Sequence, residues 1–227
     1  MNVLDALRGK LIVSAQAKDG SALDDPVVLA ALAREAQDAG AAGLRMQGVA
    51  NIAAARARTS VPMIGIIKRA YPGFEPYITA TPVEVEALLA TGVEIVAFDA
   101  TGRPRPGGAT VASLIAAIHA GGALAMADCA EAGDAERAAA AGADILGSTL
   151  RGYTKETAGA RLPALDLVRA MTGKGAFVIC EGGVHAPAQG RAALEAGADA
   201  IVVGTAITGV GWLVREFSDP LAKRRES

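Results

Sequence analysis

Eight short apolar runs recur along this chain, and most end on one polar or charged residue. They are LIVSAQ ending at Gln16, GLRMQ with Arg45, PMIGIIKR with Lys68, EIVAFDAT with Asp99, LAMADC with Asp128, ILGST, AFVICEGG with Glu181, and AIVVGT. Each is followed by an alanine-rich stretch with helical spacing. Runs of this length read as strands buried on both faces, and their alternation with helices predicts parallel strands joined by right-handed crossovers. Such a strand has no packing reason to end in a lysine or a carboxylate. A ring of charged strand ends is how a (β/α)8 barrel assembles a site on its C-terminal face. An open doubly wound sheet is the main competitor, but eight units with polar ends on nearly all of them favour the closed barrel.

The repeat numbers the chain. Strands are expected at about 11–16, 43–47, 62–68, 94–100, 124–128, 145–149, 176–181 and 200–204. Asp24 or Asp25 caps the first helix, with Pro26 in its first turn, and that helix runs to Gly40. A short helix starts at Val49, a capping box at Thr81–Glu84 opens another, and one more ends at Gly121–Gly122. The segments AAGAD and EAGAD each close a helix on a glycine before the next strand. A helix opens at Pro187, and the last runs roughly over 209–224. The loop RAYPGFEPYITATP after the third strand is long for a plain connector and marks a functional candidate. With no linker or low-complexity tract, residues 1–227 read as a single (β/α)8 domain.

Composition narrows the function classes. The net charge of −2 excludes a broad basic nucleic-acid footprint, yet leaves room for a local site for a small anion. Cys129 and Cys180 are the only cysteines and have no metal-ligand spacing. They read as buried free thiols in a reducing cytoplasm, with no metal and no disulfide framework. The uncharged stretch 107–127 is long enough to span a membrane, but a helix, a Gly-Gly stop and a short strand explain it better. The N-terminus lacks a signal-peptide pattern, so a cytoplasmic protein without membrane contact is expected.

Lys68 follows five uncharged residues, Met63 to Ile67. Loss of hydration at a barrel mouth lowers a lysine's pKa and suits it to act as general base or Schiff-base nucleophile. Glu181, between Cys180 and Gly182-Gly183, is an acid, a base, a hydroxyl clamp, or the ion-pair partner of Arg45 or Lys68. Asp128 reads as a hydroxyl acceptor. Asp99 reads either as a substrate contact or as a group orienting Lys68. Arg45 suits a carbonyl, hydroxyl or phosphate, and Gln16 a positioning donor. Gly182, Gly183 and Gly204 follow the seventh and eighth strands, where barrels hold phosphate with main-chain N–H groups, and Thr205 adds a hydroxyl. His119 reads as structural, and His185 lies nearer the mouth. Trp212, Leu213, Val214 and Phe217 make the last helix unusually apolar and predict a homodimer that uses it.

Taken in order, SAQA, RMQGV, VPMIGIIKR, FDAT followed by RPRP, MADC, GSTLRGYT, ICEGGVHAP and VVGTAIT resemble the N-acylglucosamine-6-phosphate 2-epimerases, also called N-acetylmannosamine-6-phosphate 2-epimerases. The resemblance covers about 8–215. It implies a (β/α)8 barrel that interconverts N-acetylmannosamine 6-phosphate and N-acetylglucosamine 6-phosphate without a cofactor, in amino-sugar or sialic acid breakdown. It also implies that Lys68 and Glu181 are catalytic and that Gln16, Arg45 and Asp128 hold the sugar. The chain departs from the family pattern at Gln47, where asparagine is common. It departs again at Gly209, where an arginine commonly helps to hold the phosphate, and Arg215 is a candidate substitute. Two other readings fit the residues: a lysine-dependent aldolase or synthase of the phosphate-binding barrel group, and a non-catalytic barrel that binds sugar phosphates.

Overall fold

The computed structural model describes residues 2–222. A short helix α1 (Val3–Leu7) precedes β1 (Leu11–Ala15), α2 (Pro26–Asp38), β2 (Gly43–Gln47), α3 (Val49–Arg56), β3 (Met63–Ile66) and α4 (Pro82–Leu89). Then come β4 (Ile95–Asp99), α5 (Val111–Ala120), β5 (Leu124–Asp128), α6 (Ala132–Ala140), β6 (Ile145–Gly147) and α7 (Leu165–Met171). The chain finishes with β7 (Phe177–Glu181), α8 (Pro187–Glu195), β8 (Ala200–Val203), α9 (Thr205–Thr208) and α10 (Val210–Ala222). All neighbouring strands are parallel, and β8 pairs with β1 to close an eight-stranded barrel in sequence order. The closed (β/α)8 reading therefore holds over the open sheet.

Strand alternation produces two cores. Ile12, Ile64, Ile66, Ala97, Met126 and Ile179 point inward and fill the barrel. Their neighbours Val13, Leu44, Met46, Val96, Phe98 and Val178 point outward against the helices. Several strands are shorter than the apolar runs suggest: β3 ends at Ile66 and β6 at Gly147. The residues beyond leave the ladder and form the rim.

The bottom of the barrel is sealed by α1, an element the sequence reading did not contain. Its Leu7 is 1% exposed and joins the inner cluster. A recurring device ties the strand starts together. Glu94 accepts from the Met63 N–H at 2.9 Å, Asp144 from Ala125 at 2.8 Å and Asp199 from Val178 at 2.8 Å. In each case the acid before one strand anchors the first turn of the strand before it. This explains the aspartates of AAGAD and EAGAD, and their glycines Gly142 and Gly197 adopt φ of 93° and 106°, which only glycine tolerates cheaply. His119 belongs to this lower end, 2.8 Å from Asp144, which agrees with a structural role.

Asp25, rather than Asp24, caps α2, accepting from Val27 and Val28. The Thr81–Glu84 box opens α4 as expected, and Glu84 also accepts from the Tyr71 hydroxyl at 2.9 Å. The last helix runs to Ala222, and the final part of the expected 209–224 span lies outside the described residues. Among the described residues no helix is long and apolar enough to cross a membrane, and 107–127 divides into α5, a glycine stop and β5 as read.

Candidate active site

The inward alternation that fills the barrel carries on past the strand ends. Ile12 and Ser14 lead to Gln16, Gly43 to Arg45, Ile64 and Ile66 to Lys68, Met126 to Asp128, and Ile179 to Glu181. The polar residues are thus in phase with the interior and converge on one end of it. There they meet a cavity of about 390 Å³, a size suited to a small ligand. Gln16, Arg45, Lys68 and Glu181 line it, as do Gly182, Gly183, Gly204 and Thr205.

Arg45 is the hub. It is 1% exposed and holds Asp128 through two contacts, at 2.6 and 3.2 Å, and Glu181 at 3.1 Å. Burial alone would lower its pKa, but the two carboxylates more than offset this and hold the guanidinium charged. The Thr149 hydroxyl lies 2.8 Å from Asp128 and 3.1 Å from Glu181. Ser148 fixes the Glu181 main chain, accepting from its N–H at 3.1 Å and donating to its carbonyl at 2.9 Å.

Asp128 does not line the cavity. It is 0% exposed, and both its oxygens are taken by Arg45 and Thr149. The structure thus places Asp128 behind Arg45, one residue back from the cavity wall. A buried carboxylate spent on a guanidinium orients that guanidinium. Asp99 is held in a structural role. The turn after β4 folds back over it, and its carboxylate accepts from Thr101 at 2.6 Å and Arg103 at 2.8 Å.

Glu181 has its pKa raised to about 6 by burial, with Arg45 opposing and Asp128 adding to the rise. Lys68 remains open to solvent through the cavity mouth, but the protein around it still works on its charge. Burial pushes its pKa below the ordinary lysine value, and the Arg45 charge pushes the same way, against Glu181, Asp128 and Asp19. The loop after β3 pairs back on the strand: Thr79 donates to the Ile67 carbonyl at 2.7 Å and Arg69 to that of Tyr77 at 2.8 Å. Thr79 pays for this with a φ of +43°, and the result sets Tyr77 and Ile78 on the cavity wall beside Lys68.

Gln16 donates to the Ser14 hydroxyl at 2.7 Å, while its own Oε1 is buried without a partner, an acceptor left for a ligand. Sequence reasoning missed Ser14, Lys18, Tyr77 and Thr149, all of which line the cavity. Strand parity would have found Ser14, which stands two residues beyond the inward Ile12. His185 reaches the cavity, and Arg215 does not. Trp212 packs on His185, with ring centroids 4.8 Å apart. Cys129 and Cys180 are buried and free, and burial raises both thiols, Cys180 to about 11, which disfavours the thiolate at both. Among the described residues no three His, Cys, Asp or Glu side chains converge as a metal donor set.

Residues 29–223 match the family model NanE, described as N-acetylmannosamine-6-phosphate epimerase. A relative from Enterobacter sp. (strain 638) bearing the same family's name is 44% identical over 211 residues, 91% of this chain and 90% of the relative. The bifunctional enzyme NanE/NanK of Brucella melitensis biotype 1 is 46% identical over 206 residues, 91% of this chain but 39% of that longer protein. The solved structure of the N-acetylmannosamine-6-phosphate 2-epimerase from Clostridium perfringens superposes with a TM-score of 0.93 at 39% identity, covering 96% of each chain. With most of its length matched at these identities, and its strand-end residues assembled around one cavity, the chain belongs to the N-acetylmannosamine-6-phosphate epimerase family.

Proposed function

We propose that this protein interconverts N-acetylmannosamine 6-phosphate and N-acetylglucosamine 6-phosphate by inverting C2, in the cytoplasm, as a step of amino-sugar or sialic acid breakdown. The carrying observation is a lysine with a lowered pKa on the wall of the cavity at the barrel mouth, lined as well by a carboxylate with a raised one. Ring opening breaks the C1–O5 bond and yields an aldehyde that acidifies the C2 proton. The neutral Lys68 amine takes that proton, leaving an enolate, and a proton returned to the opposite face gives the epimer. Glu181, with a pKa of about 6, is suited to accept or return protons near neutrality, as acid or base in opening and closing the ring. Gln16 offers its free acceptor to a sugar hydroxyl or the acetamido N–H. Gly182, Gly183, Gly204 and Thr205 frame the end of the cavity that takes the phosphate. Asp128 acts through Arg45.

Incubation of the protein with N-acetylmannosamine 6-phosphate in heavy water, followed by proton NMR, tests the reading. The C2 proton should exchange as the second epimer appears. Borohydride trapping of a substrate–lysine adduct would instead mean Schiff-base aldolase chemistry, and tight binding with no turnover a sensor.

The pH dependence has a definite sign. The reactive form is the free amine, so kcat/KM rises with pH as Lys68 loses its proton, on a limb below the ordinary lysine value. The Glu181 charge favours the ammonium form. Glu181→Gln therefore moves this limb to lower pH while reducing the rate, which a pH–rate profile of the variant measures.

The last helix supports a homodimer. Val210, Val214, Phe217 and Leu221 are 52–75% exposed and lie along one side of α10. The outer face of β8 and β1 is left as a groove of about 480 Å³, lined by Leu11, Ile201 and Val203 with Leu194 of α8. In a (β/α)8 barrel that face is covered by a helix, so a second copy that buries both surfaces is the expected occupant. Light scattering should give twice the chain mass, and Phe217→Asp should give the single mass.

A further inference from the structure

We propose that His185, braced by Trp212, and Lys18 form a two-armed phosphate clamp that supplies the charge this chain's cavity otherwise lacks, an inference resting on the sugar-phosphate reading above. The cavity is lined by four side chains able to carry positive charge: Lys18, Arg45, Lys68 and His185. Arg45 is buried and committed to Asp128 and Glu181. Lys68 must be neutral to take a proton from carbon. A phosphate dianion needs a charged donor from elsewhere, and Lys18 and His185 remain.

Their placement in the barrel is what the phosphate end requires. In the closed sheet β8 lies between β7 and β1. His185 follows β7 and Lys18 follows β1, so the two stand on either side of Gly204 and Thr205 at the tip of β8. Two other positions in that corner are closed to side chains. At Gly183 the backbone has φ +69°, and an added Cβ would come within 2.3 Å of the Leu162 Cβ. At Gly209 an added Cβ would sit 2.6 Å from the Thr205 carbonyl oxygen. A charged side chain cannot stand at either position in this conformation. Yet among the described residues the main-chain N–H groups of Gly182 and Gly183 donate to no other group, which leaves them available to an anion.

His185 is prepared for the task. Its main-chain N–H donates to Gln189 Oε1 at 2.7 Å, which fixes the backbone, and Trp212 holds the imidazole at a 4.8 Å centroid separation and a 36° tilt. Among the described residues neither its ring nitrogens nor the Lys18 amine has a partner within the chain. Trp212 is then a positioning residue, the link between the start of α10 and the cavity.

His185→Ala and Lys18→Ala should each raise KM for N-acetylmannosamine 6-phosphate about tenfold, and together about a hundredfold, with kcat changed little, the signature of lost uniform binding. His185→Arg should keep KM near the wild-type value, because a guanidinium carries the charge and stacks on Trp212. Trp212→Ala should raise KM in the parent chain and add nothing on top of His185→Ala. Calorimetry with inorganic phosphate reads the clamp without turnover: the parent binds and the double variant does not. Loss of phosphate binding in a protein whose parent never epimerises would sink the activity and leave the clamp standing. Unchanged KM and unchanged phosphate binding in the double variant overturn the clamp.

Discussion

Lys68→Ala will cut epimerisation by about 10³-fold or more and abolish deuterium uptake at C2, while the chain still folds and binds sugar phosphate. Removal of a positioned general base costs about 10²–10⁴-fold, and the upper part of that range applies where no other group takes its place. Glu181 is the nearest candidate, but it is tied to Arg45 and Thr149 and is a weaker base than a free amine. Lys68→Arg should be nearly as inactive, because a guanidinium does not give up its proton at any working pH. Lysine at this place is favoured by the same features that lower its pKa: the barrel walls and the Arg45 charge. A variant that retains most of its turnover would remove the base from the mechanism.

Arg45→Met has the largest expected effect on stability, about 3–5 kcal/mol, the usual result of stripping the partner from buried charges. Asp128 is 0% exposed and would be left with the Thr149 hydroxyl alone, and Glu181 would lose its nearest cation. Denaturant unfolding should show the loss directly. A second effect has the opposite sign from that of Glu181→Gln. Arg45 pushes the Lys68 pKa down, so its removal raises that pKa and moves the activity limb to higher pH. Purely structural damage would lower the rate without moving the limb. Arg45→Lys is not a conservative control, because one ammonium cannot reproduce the two contacts to Asp128 and the third to Glu181.

The barrel was legible because its signal is repeated. Eight apolar runs with polar ends leave few alternatives, and the AGAD turns mark the return to each new strand. The convergence of Gln16, Arg45, Lys68 and Glu181 was legible for the same reason, since strand ends of a closed barrel share one rim. Thr149 was hidden. It lies two residues past Gly147 and is in phase with Ile145, but a threonine at a strand end has many ordinary uses. Its value appears only when its hydroxyl is seen between Asp128 and Glu181. Helix α1 was hidden because five residues carry too little periodicity to announce a plug, and Leu7 earns its place only against the strands it seals.

By itself the sequence determined the strand count, the parallel order, and which residue types stand at the rim, because these follow from periodicity along one chain. The tertiary structure decided how the rim charges are shared. Asp128 and Asp99 have the same residue type and the same place at the end of adjacent strands, yet one is spent on Arg45 and the other on Arg103. Which arginine reaches which carboxylate depends on how the loop after β4 folds back and how far β2 lies across the barrel. Those are distances between segments remote in sequence, and only the closed fold fixes them.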